Sequence, residues 1–287
     1  MKDVKRDLGA GRLVRLGALA LVGASLVALG TARAAEPTAD QSAELAKKLA
    51  NPVANLISLP LQFNYDENYG MDDEGSKSVL NVQPVVPISI SHDWNVISRT
   101  IVPLISQEDM PYGTEESGVG DILQSFFFSP KEPTRRGGII WGIGPAVLIP
   151  SATDETLGGE RWAAGPTAVV LKQSGPWTVG CLVNHLWSFA GDEDRADVNA
   201  TFVQPFLAYL VSKTYTTVGL NTETTYNWDA KEGDEAWSIP ANLSVSQMLK
   251  IGGQPIQLMA GVRYWADSPE AGPEGWGFRV GLTFLFP

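Results

Sequence analysis

From Leu56 onward, hydrophobic and polar positions alternate with a period of two. The last segment is the clearest. Trp276, Phe278, Val280, Leu282, Phe284 and Phe286 alternate with Gly277, Arg279, Gly281, Thr283 and Leu285. Successive side chains of a strand point to opposite faces, so one face here is apolar and aromatic and the other is mostly small or polar. The same pattern puts Ile256, Leu258, Ala260, Val262 and Tyr264 opposite Gln257, Met259, Gly261 and Arg263. About twelve such segments lie near 56–66, 78–91, 94–106, 118–129, 138–151, 162–173, 176–189, 198–212, 214–228, 237–249, 255–267 and 275–286. A strand of a soluble protein averages about 5–6 residues, whereas one that crosses a bilayer needs about 9–11. The pattern predicts an all-β fold, an up-and-down antiparallel transmembrane β-barrel of about 12 strands. Segments 162–173 and 176–189 alternate poorly and leave the facing of Cys181 and His185 open. Eight prolines (84, 87, 103, 145, 150, 166, 205 and 240) fall inside expected strands. Proline removes a ladder hydrogen bond, so these positions call for bulges or strand ends.

The connections alternate in kind. Segments 66–77, 107–117, 152–161, 190–197, 229–236 and 267–274 together hold 23 acidic and four basic residues. The five turns between them are mostly short and net basic. A chain that runs up and down puts alternate connections at opposite ends, so the acid gathers at one end. Outer-membrane barrels have short periplasmic turns and longer extracellular loops. The acidic loops are therefore placed outside the cell and both termini in the periplasm. All nine tryptophans fall near expected strand ends, six by acidic loops (Trp265 among them) and three by the turns. Such girdles suit an amphipathic ring at headgroup depth.

Residues 1–34 read as a signal peptide: a basic start, the apolar run Leu16–Leu29, and Ala32-Arg33-Ala34 before a cut at Ala35. Residues 35–55 form an N-terminal periplasmic segment with a short helix, Asp40–Ala50, N-capped by Asp40. That helix is a lid or leader, with a plug inside a pore as the alternative. The barrel is 56–287. The implied location is the cell outer membrane, reached by export through the inner membrane.

Composition narrows the function. The net charge of −11 argues against a nucleic-acid partner. One cysteine, Cys181, and two distant histidines, His92 and His185, supply no disulfide framework and no short-spaced metal pair. The chain has no G-x-S-x-G elbow, no H-E-x-x-H and no phosphate-binding glycine loop. His185 and Ser188 are three apart and face opposite ways. Asp72-Asp73-Glu74 and Asp192-Glu193-Asp194 are read as solvated loop charge rather than calcium ligands. No catalytic, cofactor or metal residues are assigned, and the chain is not expected to be an enzyme. Once loops, turns and leader are set aside, the remaining charges are Arg99, Asp121, Glu223, Arg263 and Arg279. Each falls on a polar strand face. A lipid-facing charge costs about 2–4 kcal/mol at the bilayer midplane, so these five are placed in the lumen. A symmetric hairpin around residue 271 would set Arg263 opposite Arg279, with Asn242 and Glu223 at similar height. Two neighbouring arginines repel unless an anion or carboxylate lies between them.

The runs NVQPVVPISISHDWNVISRTIVPLI (81–105), GVGDILQSFFFSPKEP (118–133), WGIGPAVLIPSATDETLG (141–158) and GPTAVVLKQSGPW (165–177) are distinctive. So are SFAGDEDRADVNATFVQPFLAY (188–209) and the final stretch 247–287. Together they resemble the bacterial outer-membrane family named for the MetA pathway of phenol degradation, whose members are often called transporters. The resemblance implies a barrel and the uptake of small, aromatic or hydrophobic compounds, and it brings no site residues. The expected function is an outer-membrane channel or transporter for small molecules. The alternatives are a structural or receptor barrel acting through its acidic loops, or a barrel hydrolase. The expected partners are outer-membrane lipid, a small-molecule solute and the barrel-assembly machinery.

Overall fold

The period-two segments form strands, and the strands close on themselves. The computed structural model describes residues 39–110, 113–231, 233 and 235–287, all within the unit Pro37–Pro287. The expected signal peptide lies outside the described residues. In chain order the elements are α1 (Ala39–Leu49), β1 (Ile57–Tyr69), β2 (Gly75–Val82), β3 (Val85–Ser89), β4 (Trp94–Glu108), β5 (Glu115–Val119), β6 (Ile122–Pro130) and β7 (Ile139–Ile149). Then come β8 (Arg161–Ser174), β9 (Trp177–Gly191), β10 (Asn199–Val211), β11 (Thr216–Thr222), β12 (Thr224–Asn227), β13 (Trp237–Ile251), β14 (Gln254–Asp267) and β15 (Gly275–Phe286). β2 with β3, β5 with β6 and β11 with β12 each make one interrupted stave, so fifteen strands build twelve staves. Each stave is antiparallel to its sequence neighbours, and the ring shuts where β1 pairs β15 from Ile57↔Phe286 to Tyr65↔Phe278. Closure pairs the backbone groups that a membrane could not solvate.

The alternation sets the two surfaces. On β15, Trp276 is 66% exposed and Phe278 46%, whereas Arg279 is 4% and Leu285 0% exposed. The apolar face is therefore the outer wall and the polar face the lumen. Aromatic pairs mark both rims outside: Trp94 with Trp141 at the turn end, and Tyr226 with Trp228 and Trp237 at the loop end. Trp265 departs from the expected girdle. Its parity turns it inward, where Nε1–H donates to Asp66 Oδ1 at 2.9 Å.

The turns at one end are short. Gly252 and Gly253, both at positive φ (57° and 90°), close β13 onto β14 in two residues. Only residues without a Cβ adopt that pair of angles freely, which is the demand of a tight hairpin turn. The prolines sit where regular pairing fails. Pro84 lies in the β2–β3 break, and Pro240 sits at the register shift of β13 on β14. Pro103 accepts the Gly120 N–H beside the β5–β6 break. Pro145 and Pro166 face each other across β7 and β8.

At the turn end the chain enters the barrel. Ala46 of α1 (2% exposed) packs with Leu56, Leu210, Met248 and Leu285, and the last three face the lumen. Downstream, Val53 sits among inward-facing Ile97, Phe127, Val169, Leu171 and Leu182. The Lys47 carbonyl accepts Gln173 Nε2–H at 2.8 Å. Residues 39–56 therefore lie inside the turn-end mouth as a plug, not against the outside as a leader. The helix starts at Ala39, so Asp40 lies within it rather than ahead of it. The plug also explains the weak alternation of β8 and β9. Inward-facing Val169, Leu171 and Leu182 pack against Val53 of the plug, so the lumen faces mix apolar residues with Thr167, Thr178 and Asn184 and contrast little with the outer faces. Even-numbered residues of β9 are buried inward, which turns Cys181 and His185 to the outer wall.

Candidate functional site in the lumen

Three neighbouring spaces lie along the barrel, each sharing lining residues with the next. A vestibule of about 750 Å³ at the loop end is lined by Met71, Asp72, Asp109, Met110, Glu155 and Arg195, together with Lys77. Lys77 also lines a central cavity of about 560 Å³. A third space, of about 260 Å³, lies between that cavity and the plug residues Lys48–Leu56. Gln83, Arg99, Gln204 and Asn221 line both of the lower two spaces and form a waist between them.

Across the central cavity runs a charged network on neighbouring staves. Arg279 grips Glu223 with both terminal nitrogens, Nη1 to Oε1 at 2.9 Å and Nη2 to Oε2 at 2.7 Å, and its Nε donates to Asn64 Oδ1 at 2.6 Å. Arg263 donates to Asp66 Oδ2 at 2.8 Å, to Glu223 Oε2 at 2.9 Å and, through Nε, to Asn242 Oδ1 at 3.0 Å. Its guanidinium also lies 5.4 Å from the centre of the Trp265 ring. The two arginines are thus reconciled by a carboxylate between them. A forked guanidinium against a carboxylate in a dry site is a strong and directional contact. Arg99 stands apart, with Nη2–H donating to Gln83 Oε1 at 3.0 Å.

Irregular backbone supplies the key groups. Glu223 occupies the gap between β11 and β12, where its N–H reaches the Pro240 carbonyl at 3.3 Å. Gln83 occupies the gap between β2 and β3, just before Pro84. Proline gives no N–H to the ladder, and the stave breaks beside it.

Of the five charges placed in the lumen from sequence, Arg99, Glu223, Arg263 and Arg279 line the central cavity together. Asp121 does not join them. It sits at the β5–β6 break and accepts backbone N–H groups from Ser151 (3.1 Å), Ala152 (3.2 Å) and Gly159 (2.7 Å). Its carboxylate fastens the 150–160 loop, which Arg195 holds from the other side through the Glu155 and Gly158 carbonyls. On the same loop Asp154 accepts the N–H and O–H of Thr156, which hold its carboxyl below the usual range. The hairpin symmetry was offset. Arg263 pairs with Gly277 and Arg279 with Gly261, and Asn221, not Glu223, pairs with Asn242.

The sequence reading missed Asp66, Lys77 and Trp265. Asp66 and Lys77 were counted as loop, but β1 runs on to Tyr69 and β2 begins at Gly75. The signal was present, because Gln62, Asn64 and Asp66 share one strand parity. On the outer wall, Trp228 Nε1–H donates to Thr201 Oγ1 at 2.8 Å, and Thr201 lies 2.7 Å from His185 Nδ1. Indole can only donate, so the Thr201 hydroxyl accepts from Trp228 while it also bonds the His185 ring. Among the described residues no three His, Cys, Asp or Glu side chains gather as a metal-ligand group.

No protein-family model matches the chain, and a search of curated proteins finds no match. The expected membership of the phenol-degradation family therefore rests on the sequence runs alone. Solved structures do match. An outer membrane channel from Pseudomonas putida F1 superposes with a TM-score of 0.62 at 14% identity, covering 81% of this chain and 96% of that one. Outer membrane phospholipase A from Escherichia coli gives 0.48 at 12% identity, over 85% and 98%. A Pseudomonas aeruginosa FadL homologue gives 0.33 at 9% identity, over 82% and 90%. At these identities the likeness is one of fold: the chain is built as an outer-membrane β-barrel.

Proposed function

We propose that this protein is a gated outer-membrane channel for small molecules. Solute would enter past the acidic loops, descend through the vestibule and central cavity, and leave when the 39–56 plug moves. The observation that carries this reading is a succession of neighbouring spaces along the barrel. Lys77 lines both the vestibule and the cavity, and four waist residues line both the cavity and the space next to the plug. A lumen filled only for stability would have no reason to keep three such spaces. The walls favour solutes with both polar and apolar parts, because charged and amide groups line one arc of the cavity and Leu123, Phe127, Leu182 and Phe202 the other.

The test is swelling of liposomes that hold either the full chain or an Ala46→Glu variant. Glutamate at this buried plug position would need solvent, so it should loosen the plug. Phenolic acids should enter faster with either protein than into bare liposomes, and fastest with the variant. Rates equal to bare liposomes for both proteins would sink the channel reading.

A further inference from the structure

Of the three arginines that line the cavity, Arg99 is the one that no carboxylate contacts. Arg263 and Arg279 are each paired within 3 Å to Asp66 or Glu223. No carboxylate among the described residues comes within ion-pair distance of Arg99, and its hydrogen bond goes to a neutral amide, Gln83. Glu223 is within electrostatic reach of it, but both Glu223 oxygens already receive Arg279 and one also receives Arg263. A guanidinium carries five N–H donors in a planar fork that matches a carboxylate. Arg99 is half-buried on the cavity wall with one donor committed to Gln83, so it has capacity for an anion there.

The surroundings narrow the anion. Arg99 faces the lumen on β4 between Ile97, in the apolar cluster around Val53, and Ile101 on the cavity wall. Its partner across the ladder is Ser125, two residues from fully buried Phe127. Arg99 thus stands on the seam between the charged arc and the apolar arc. Overall, four basic side chains (Lys77, Arg99, Arg263 and Arg279) and two acidic ones (Asp66 and Glu223) line the cavity, a net of two positive charges. Small-ligand pockets span about 300–1,000 Å³, and this one has about 560 Å³.

We infer that Arg99 is a carboxylate-anchoring site, at which a small monocarboxylate lays its apolar or aromatic body against Ile101 and Leu123 on the cavity wall. The proposal names the solute class for the channel reading and rests on it for its biological sense, but binding is measured apart from passage.

Titration calorimetry of the full chain in detergent, with benzoate, benzyl alcohol and acetate as probes, tests it. Benzoate should bind at least about tenfold more tightly than either single-feature probe. Arg99→Gln should remove about tenfold of benzoate affinity, the effect of losing a charge-assisted bond, and leave benzyl alcohol unchanged. Arg99→Lys keeps the charge without the fork and should fall between. Arg136→Gln, on an exposed turn, should bind as wild type. Equal benzoate affinity in wild type and Arg99→Gln, or no benzoate preference in the wild type, overturns the proposal. Should Arg99→Gln not fold, Arg99→Lys decides: undiminished benzoate affinity in it overturns the forked anchor. Benzoate that binds through Arg99 yet never crosses liposomes would leave this site standing and remove the channel. Phenolic acids that cross equally with wild type and Arg99→Gln, without saturable binding, would do the reverse.

Discussion

At the scale of the residue, Glu223 is the hinge of the lumen. It neutralises two arginines from staves that its own stave never touches. Removing one member of a buried ion pair strands the others and costs about 3–5 kcal/mol. Glu223→Gln keeps the shape and loses the charge, so the expected loss is on the order of 3 kcal/mol, read as a lower urea midpoint for unfolding in lipid vesicles. The same change leaves Arg263 and Arg279 in surplus, so reversal potentials in planar bilayers should move toward anion preference. A variant with the wild-type midpoint and the wild-type reversal potential would mean that the network carries neither stability nor selectivity.

At the scale of the element, the strands are regular where they face lipid and irregular where they face the site. The breaks at Gln83–Pro84, Gly120–Asp121 and Glu223 each lie beside a proline, and two of the three place a lumen side chain. Close backbone approach is a second irregularity. A Cβ on Gly165 would collide with the His185 carbonyl oxygen, on backbone that cannot turn aside as a side chain would. Gly165→Ala should therefore push β8 from β9 at a cost of about 1–3 kcal/mol, as overpacking does elsewhere. Heat-dependent mobility on gels would report it as an earlier loss of the folded band. An unchanged melting profile would show that the two strands tolerate separation there.

At the scale of the whole molecule, one end of the barrel is acidic and long-looped and the other is short-turned and plugged. The reading that the acidic end faces outward rests on this asymmetry. Glu193→Cys, in an exposed loop, should react with a membrane-impermeant maleimide on intact cells. Arg135→Cys, in an exposed turn at the other end, should react only after the outer membrane is permeabilised. The reverse pattern would invert the orientation and place the vestibule, and the Arg99 site beneath it, on the periplasmic side.

Alternation along the chain was enough to define the twelve staves, their order and the two faces of most of them. Lipid and lumen are different solvents, and a strand exposes every second side chain to each. The same logic placed Arg263 and Arg279 inside. It failed on β8 and β9, whose lumen faces mix Val169, Leu171 and Leu182 with polar residues, and there packing against Val53 and its neighbours decides which face is which. Sequence spacing likewise could not bring Asp66 and Glu223, 197 and 40 positions away along the chain, to the same guanidinium of Arg263. Nor could it fold residues 39–56 into the mouth. Ring closure and strand register set those contacts, because they belong to the cylinder and not to any one strand.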